Sequence, residues 1–316
     1  MSNPNNKMLP ISIVVTVFND SESIENFLKN IDNQSCHPSE LIIVDGGSSD
    51  NTSELILEFS KYSKFKIILV SEGKRLNISE GLNQGIKNSS FSNILIAGTG
   101  NFYDIDFIKE LWIAKEKSIN KIFYSSVLGQ KNSNFSDLFN KYFLNGNQCF
   151  DWEPSNHGVL IHKSIFKNHG LFWEGFHYAG EDSEFFNRVT QAGELCEYVQ
   201  KAILYWETPR NWKEYNRKMQ VNAIADLQIN STKSMCFKIF IPLMLIFSFI
   251  FLLYKSKAFI FLAIFAIIAL MIKKNTYNVA SVLLGISSKF IVPFHYLMQR
   301  KFRKKAFKVT KSEFLH

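Results

Sequence analysis

Cysteine is scarce and unpaired in this chain. The four residues, Cys36, Cys149, Cys196 and Cys236, stand far apart, with no Cys-x-x-Cys pair among them. That excludes a cysteine-built metal site and argues against a disulfide framework, so a reducing compartment is expected. The amino terminus, MSNPNNKMLP, lacks the apolar stretch of a signal peptide, and none is expected. Four histidines, His157, His162, His169 and His177, share one stretch, but their spacings of five, seven and eight fit no pair of ligands on one helix face.

Charge of either sign is missing from two runs, Ile239–Tyr254 and Ala258–Ile272, separated by Lys255-Ser256-Lys257. Each run falls short of the roughly 20 residues that span a bilayer. Neither has a polar face to solvate, so together they read as a transmembrane helical hairpin. A third segment, 279–299, carries Lys289, Pro293 and His295 and reads as interfacial or re-entrant. Arg300, Lys301, Arg303, Lys304, Lys305, Lys308 and Lys311 follow, a cluster expected on the cytoplasmic side. The net charge of +8 therefore points to a membrane surface, and nucleic acid is not expected as a partner. Residues 236–299 are read as the membrane region and 300–316 as a basic cytoplasmic tail.

The amino-terminal part is richer. Ile11, Ile13, Val15 and Val17 lie in a β-rich apolar run, as in a buried parallel strand. Asn19-Asp20-Ser21 stops it, and Ile24, Phe27, Leu28 and Ile31 recur at the spacing of an amphipathic helix. Leu41–Val44 is a second strand, ending in Asp45-Gly46-Gly47-Ser48-Ser49-Asp50. The loop would lie at the carboxyl end of a parallel strand, where open α/β sheets bind ligands. Asp45 offers a carboxylate to a base N–H or a ribose hydroxyl, and Gly46 and Gly47 admit a ligand close to the backbone. Ser48, Ser49 and Asp50 are placed to cap the next helix, so a plain turn-and-cap reading of the loop stays open.

The order strand, Asn-Asp, helix, strand, Asp-Gly-Gly-Ser-Ser-Asp resembles the family 2 glycosyltransferases, the GT-A group that transfers sugars from nucleotide-sugar donors. The resemblance runs from about Ile11 to about Trp212. It implies an α/β, Rossmann-like GT-A nucleotide-diphospho-sugar transferase domain over residues 8–232. It also implies a donor site built from Thr16, Phe18, Asn19, Asp45, Gly46 and Ser48. Lys66–Val70 reads as a third strand, and the segment Glu72–Ile86 resembles the family's basic residue and Asn before a helix. There Lys74 and Arg75 either meet the diphosphate or are exposed loop charges; Asn77 and Asn83 bond either ribose or backbone. Gly81 and Gly85 are expected to allow close helix packing.

The fourth strand, Asn93–Ala97, departs from the family pattern. The family carries an acidic motif there that holds Mn2+ or Mg2+ against the donor phosphates. This chain reads Gly98-Thr99-Gly100-Asn101, with Gly100 where a metal-binding aspartate is expected. Thr99 and Asn101 are neutral oxygen donors for a metal or for the ribose. Asp104-Ile105-Asp106 spells Asp-x-Asp but reads as the start of a helix carrying Phe107, Ile108, Leu111 and Trp112. No metal ligand is assigned; Asn101, Asp104 and Asp106 are the residues a metal would have to use.

Ile122–Leu128 is a further strand, and the aromatic stretch with Phe135, Phe139, Tyr142 and Phe143 lines an acceptor groove or packs a core. Gly158–Phe166 resembles the strand and helix behind the family's acceptor site. Gly180-Glu181-Asp182, then Phe185-Phe186, Arg188 and Gly193, matches its Glu-Asp motif. The resemblance makes Asp182 the general base, with Glu181 orienting the loop or the acceptor; a helix-capping acid pair is the alternative. Arg210, in Thr208-Pro209-Arg210-Asn211-Trp212, resembles a degenerate Arg-Trp element over the donor, or is a surface arginine.

The expected function is inverting transfer from a nucleotide-diphosphate donor, a UDP-sugar favoured, to a polyprenyl-diphosphate-linked saccharide at the inner or plasma membrane. A catalytically impaired relative serving as a binding or scaffold subunit is the alternative. A processive synthase would need more membrane helices and a clear Gln-x-x-Arg-Trp.

Overall fold

The computed structural model describes residues 7–144, 154–176 and 179–229. The expected membrane segments, the basic tail, Cys149, Cys236 and His177 lie outside these residues. Among the described residues no helix is long and apolar enough to cross a membrane.

Strand and helix alternate through the first half: β1 (Lys7–Val17), α1 (Ile24–Asp32), β2 (Cys36–Asp45), α2 (Thr52–Ser60), β3 (Lys66–Ser71), α3 (Ile78–Asn88) and β4 (Asn93–Ala97). These four strands are parallel. The second half adds β5 (Asn101–Tyr103), α4 (Phe107–Lys117), β6 (Ile122–Gly129), α5 (Asn134–Phe143), β7 (Gly158–His162), α6 (Ser164–His169), α7 (Glu181–Gln191), β8 (Cys196–Trp206) and α8 (Trp212–Ile229). All strands join one sheet in the order β3-β2-β1-β4-β7-β6-β8-β5, with β7 antiparallel to both its neighbours.

Successive side chains of a strand point to opposite faces, so a strand covered on both sides is apolar throughout. In β1, Ile11, Ile13, Val15 and Val17 pack with α1, α2 and α4. Val14 packs on the other face with Leu82 and Ile86 of α3, Ile165 of α6 and Phe185 of α7. The result is three layers, helices on both faces of a mostly parallel sheet. α3 lies close because Gly81 and Gly85 carry no side chain. A Cβ at Gly81 would stand 2.6 Å from Thr16 Cγ2, and one at Gly85 would overlap Val14.

Only three residues separate β4 from β5, yet β7, β6 and β8 lie between them in the sheet. Four strand spacings in a flat sheet come to about 19 Å, while four Cα steps reach about 14 Å. The sheet therefore curls, and the start of β5 returns toward the end of β4.

Candidate active site

The parallel strands bring Val17, Asp45, Ser71 and Ala97 to one edge of the sheet. β7 starts at this edge, with Gly158 opposite Ala97. β8 ends there, with Trp206 opposite both Gly129 and Asn101.

Two loops interlock at the ends of β1 and β2. Asn19, in the left-handed region at φ 49°, donates its N–H to Ser48 Oγ at 2.9 Å and accepts the Ser49 N–H at 2.7 Å. The Asp20 N–H bonds Thr52 Oγ1 at 2.9 Å, and the Ser21 N–H bonds Asp50 Oδ2 at 3.3 Å. Asp45 is buried; its carboxylate accepts the Ser48 N–H at 2.9 Å and the Ser53 hydroxyl at 2.7 Å. Burial alone would raise its pKa, but the bonds from Ser48 and Ser53 outweigh it and hold the carboxyl below its ordinary range. Gly47 takes φ 85°, and a Cβ there would stand 2.8 Å from Lys74 O. Arg75 stacks on the exposed Phe18, 3.4 Å from the ring centroid, and donates to the carbonyls of Gly46 at 3.2 Å and Leu76 at 2.7 Å.

Beside these loops lies the turn from β4 into β5. The Asn101 side-chain amide is buried and donates toward Gly98 O at 3.3 Å and His157 at 3.3 Å; its Oδ1 has no partner among the described residues. The Tyr103 hydroxyl accepts the Gly98 N–H at 2.9 Å and donates to His157 O at 2.8 Å. Burial, with the Lys218 charge adding to it, pushes His157 down to about 4, so its ring is neutral at pH 7. Gly100 is exposed, and a Cβ there would meet nothing within 4 Å. Crowding is therefore not the reason an acid is missing.

This turn does not suit a divalent cation. Such ions take several oxygen ligands, usually including carboxylates, and the turn offers Thr99 and one orphaned amide oxygen. Among the described residues, no group of three His, Cys, Asp or Glu side chains could hold a metal. Asp104 and Asp106 must be withdrawn as metal candidates. Asp106 accepts the Ser35 hydroxyl at 2.6 Å and Lys109 Nζ at 3.1 Å and leads into α4. Ser35 precedes the first residue of β2, which is 10 residues long. At about 3.3 Å per residue that end lies about 30 Å from Asp45. Asp104 spends a carboxylate oxygen on the Asp106 N–H at 3.2 Å.

Glu181 and Asp182 open α7, after Gly180 at φ 105°. Glu181 is 7% exposed and accepts the Asn156 side-chain N–H at 3.2 Å. Asp182 is half-buried and accepts the Ser183 N–H at 2.7 Å. Burial raises both carboxyls; the neighbouring Asp182 charge adds to it at Glu181, which reaches about 7. At about 7, Glu181 is divided between its protonated and charged forms at neutral pH, and the Asp182 charge is one of the causes that hold it there. Lys218 of α8 stands near this pair, its Nζ 3.8 Å over the Trp206 ring. Burial lowers it to about 8, against the opposing attraction of Asp182.

Residues 12–112, from β1 into α4, match the family model described as glycosyl transferase family 2. Over those residues the chain is similar to the family 2 glycosyltransferases. A poly-beta-1,6-N-acetyl-D-glucosamine synthase of Staphylococcus epidermidis is 34% identical over 98 residues, covering 30% of this chain and 23% of that protein. The synthase of Staphylococcus aureus strain COL is 32% identical over 96 residues, with the same coverage of 30% and 23%. The chain thus spans under a quarter of the length of these curated relatives. Among solved structures, the mannosyltransferase PcManGT from Pyrobaculum calidifontis, in complex with GDP-Man and Mn2+, aligns with TM-score 0.66 at 14% identity, covering 91% of this chain and 87% of that one. Staphylococcus aureus TarS 1-349 in complex with UDP aligns with TM-score 0.51 at 16% identity, covering 72% and 68%. These likenesses establish the GT-A fold.

Within the matched residues 12–112, Thr16, Phe18, Asn19, Asp45, Gly46, Ser48 and Arg75 gather at one edge of the sheet, with Thr99 and Asn101 beside them. Lys74 is exposed and paired with Glu72 at 2.6 Å. Asn77 and Asn83 take the backbone alternative. Asn77 caps α3, accepting the Glu80 N–H at 2.9 Å, and Asn83 spends its amide on Phe172 and Glu174. Arg210 is 56% exposed and lies 3.4 Å from Glu214 at the start of α8. Asn156, His157, Trp206 and Lys218 were missed by sequence reading. His157 was weighed only as a metal ligand, and the other three carry no motif.

Proposed function

We propose that this chain transfers a sugar from a nucleotide diphospho-sugar to a saccharide acceptor at a membrane surface, with inversion at the anomeric carbon. The observation that carries the reading is the shared sheet edge of the Asp45 loop and the Glu181–Asp182 pair. The first is a pre-ordered loop around a buried carboxylate, of the kind that holds a nucleoside; the second is a carboxyl pair at the start of a helix. Asp182 takes the proton of the acceptor hydroxyl while its oxygen bonds to the anomeric carbon. The bond from that carbon to the diphosphate breaks, and its electron pair leaves on the phosphate oxygen. Glu181, held by Asn156 at the start of α7, positions the loop that carries Asp182.

The complexes of fold relatives with GDP-Man or UDP support a nucleotide sugar as donor, and we favour a UDP-sugar. The polysaccharide synthases among the relatives support a role in exopolysaccharide or cell-surface glycan synthesis. The apolar runs within 239–272 and the basic tail support a membrane-anchored protein at the inner or plasma membrane. Its catalytic domain would lie on the cytoplasmic side, and a polyprenyl-diphosphate-linked saccharide would be the acceptor. Gly100 favours a second reading, a donor-binding subunit without transfer activity.

A thermal-shift panel of UDP- and GDP-sugars on the detergent-purified chain, followed by nucleotide release assays, tests both. Asp182→Asn should keep donor-induced stabilisation and lose at least about 100-fold in release. Near-normal turnover in that variant would remove Asp182 from the mechanism. Stabilisation by a donor with no turnover of it, even with membrane-extracted acceptor lipid, would make the chain a binding subunit.

A further inference from the structure

We infer that Lys218 supplies the positive charge that stabilises the departing nucleoside diphosphate, in the place a divalent cation would otherwise take. The inference rests on the glycosyl-transfer reading above. Breaking the bond between sugar and diphosphate leaves a new negative charge on a phosphate oxygen, and a fixed cation at that point lowers the barrier. The Gly98–Asn101 turn has no carboxylate to hold a metal there.

The other cations near the site are committed elsewhere. Lys74 is paired with Glu72 at 2.6 Å. Arg75 is tied to two carbonyls and stacked on Phe18. Arg210 stands between Glu207 at 3.8 Å and Glu214 at 3.4 Å.

Lys218 differs in its surroundings. Tyr215 and Met219 are buried against Phe139 of α5 and anchor α8. Residue 218 follows Tyr215 by three, on the same side of the helix, and its Nζ lies over Trp206. Trp206 ends β8 opposite Asn101, and its ring lies 5.5 Å from His157, which bonds Asn101. The ammonium therefore stands next to the turn that lacks its acid. An indole face attracts a cation without neutralising it. Among the described residues no carboxylate lies within ion-pair distance of Lys218. The titratable groups that face it are Asp182 of α7, which attracts it, and His157, which is neutral at pH 7. Its own value of about 8 leaves it charged at pH 7 and incompletely hydrated, ready for a phosphate oxygen.

The step balances without a metal. The acceptor oxygen bonds to the anomeric carbon and its proton passes to Asp182. The electron pair of the broken bond stays on the diphosphate, toward which Lys218 donates an N–H while keeping its proton.

The test uses the full-length chain, with UDP-sugars and GDP-sugars as donors and UDP and GDP as product probes. Lys218→Gln should lower the rate of nucleotide release at saturating donor at least 30-fold and weaken UDP or GDP binding at least tenfold. Lys218→Arg should restore most of the rate at pH 7. The wild-type kcat/KM for donor should fall as pH rises through about 8, and in Lys218→Arg that limb should move up by at least a full pH unit. This second variant keeps the inference falsifiable where the Gln variant misfolds. A Lys218→Gln rate within threefold of wild type, or an alkaline limb unmoved in Lys218→Arg, would overturn it. If Asp182→Asn is inert while Lys218→Gln is normal, the glycosyl-transfer reading stands and only Lys218 falls. If no nucleotide or donor shifts the melting temperature, the functional reading falls, and this inference with it.

Discussion

Two neighbouring carboxyls, Glu181 and Asp182, differ in depth, and the difference has a measurable signature. Glu181 rises from an ordinary 4.5 to about 7, chiefly through burial. The native state therefore binds a proton more tightly than the unfolded chain. Its contribution to stability is complete below about 4.5 and is lost as pH rises through about 7. Glu181→Gln removes that loss, so it should be neutral near pH 4.5 and stabilising by about 1–3 kcal/mol at pH 8. Thermal unfolding at the two pH values checks this, and an equal effect at both would refute it. Gly100 offers a second residue-scale test, since a side chain there meets open space and its φ is not positive. Gly100→Asp should create measurable Mn2+ affinity where wild type has little, read by calorimetric titration. Added Mn2+ should then recover part of the rate lost in a Gly100→Asp/Lys218→Gln double variant. The places of Asp45 at the end of β2 and of Asp182 in the first turn of α7 were legible in the sequence, because strand pattern and motif carried them. The burial of Glu181 was not, because it depends on how deeply Asn156 and the start of α7 are covered.

Among the elements, α3 sits close against β1 because two glycines face it. Gly85→Ala would press a methyl into Val14 and push the helix off β1. Overpacking of this kind costs about 1–3 kcal/mol, and a fall in melting temperature is the expected readout; an unchanged value would mean that α3 is free to shift. Helices and strands with one clean period, α1 and β1 to β4 above all, were readable from residue spacing. β2 nevertheless starts earlier than expected, at Cys36, and continues through Pro38. Four elements escaped, β5, β8, α5 and α8. β5 is three residues long, too short for any period. β8 mixes buried and half-exposed positions. α5 carries its aromatic side chains against α8, where Phe139, Tyr215 and Met219 form a separate cluster. For Phe139 the core reading therefore holds over the groove reading. Without α8, Lys218 had no place in the sequence picture.

At the scale of the whole molecule, one sheet carries every described strand, and the described part ends at Ile229. A chain truncated after Ser234 should be soluble without detergent and still bind nucleotide, while the full-length chain should sediment with membranes and resist salt extraction. Full-length protein in the detergent-free supernatant would refute the anchor. The same layout orders events during synthesis. Every bond that shapes the Asp45 pocket closes within residues 17–76, from the Gly46 N–H on Val17 O to the Leu76 N–H on Gly46 O. Asp182 and Lys218 lie far downstream. At translation speeds of about 5–20 residues per second, Lys218 leaves the ribosome roughly 7–28 s after Leu76. On the reading proposed above, a nascent chain acquires the parts that grip a nucleotide well before the parts that could spend it, and its chemistry stays switched off until α8 has docked.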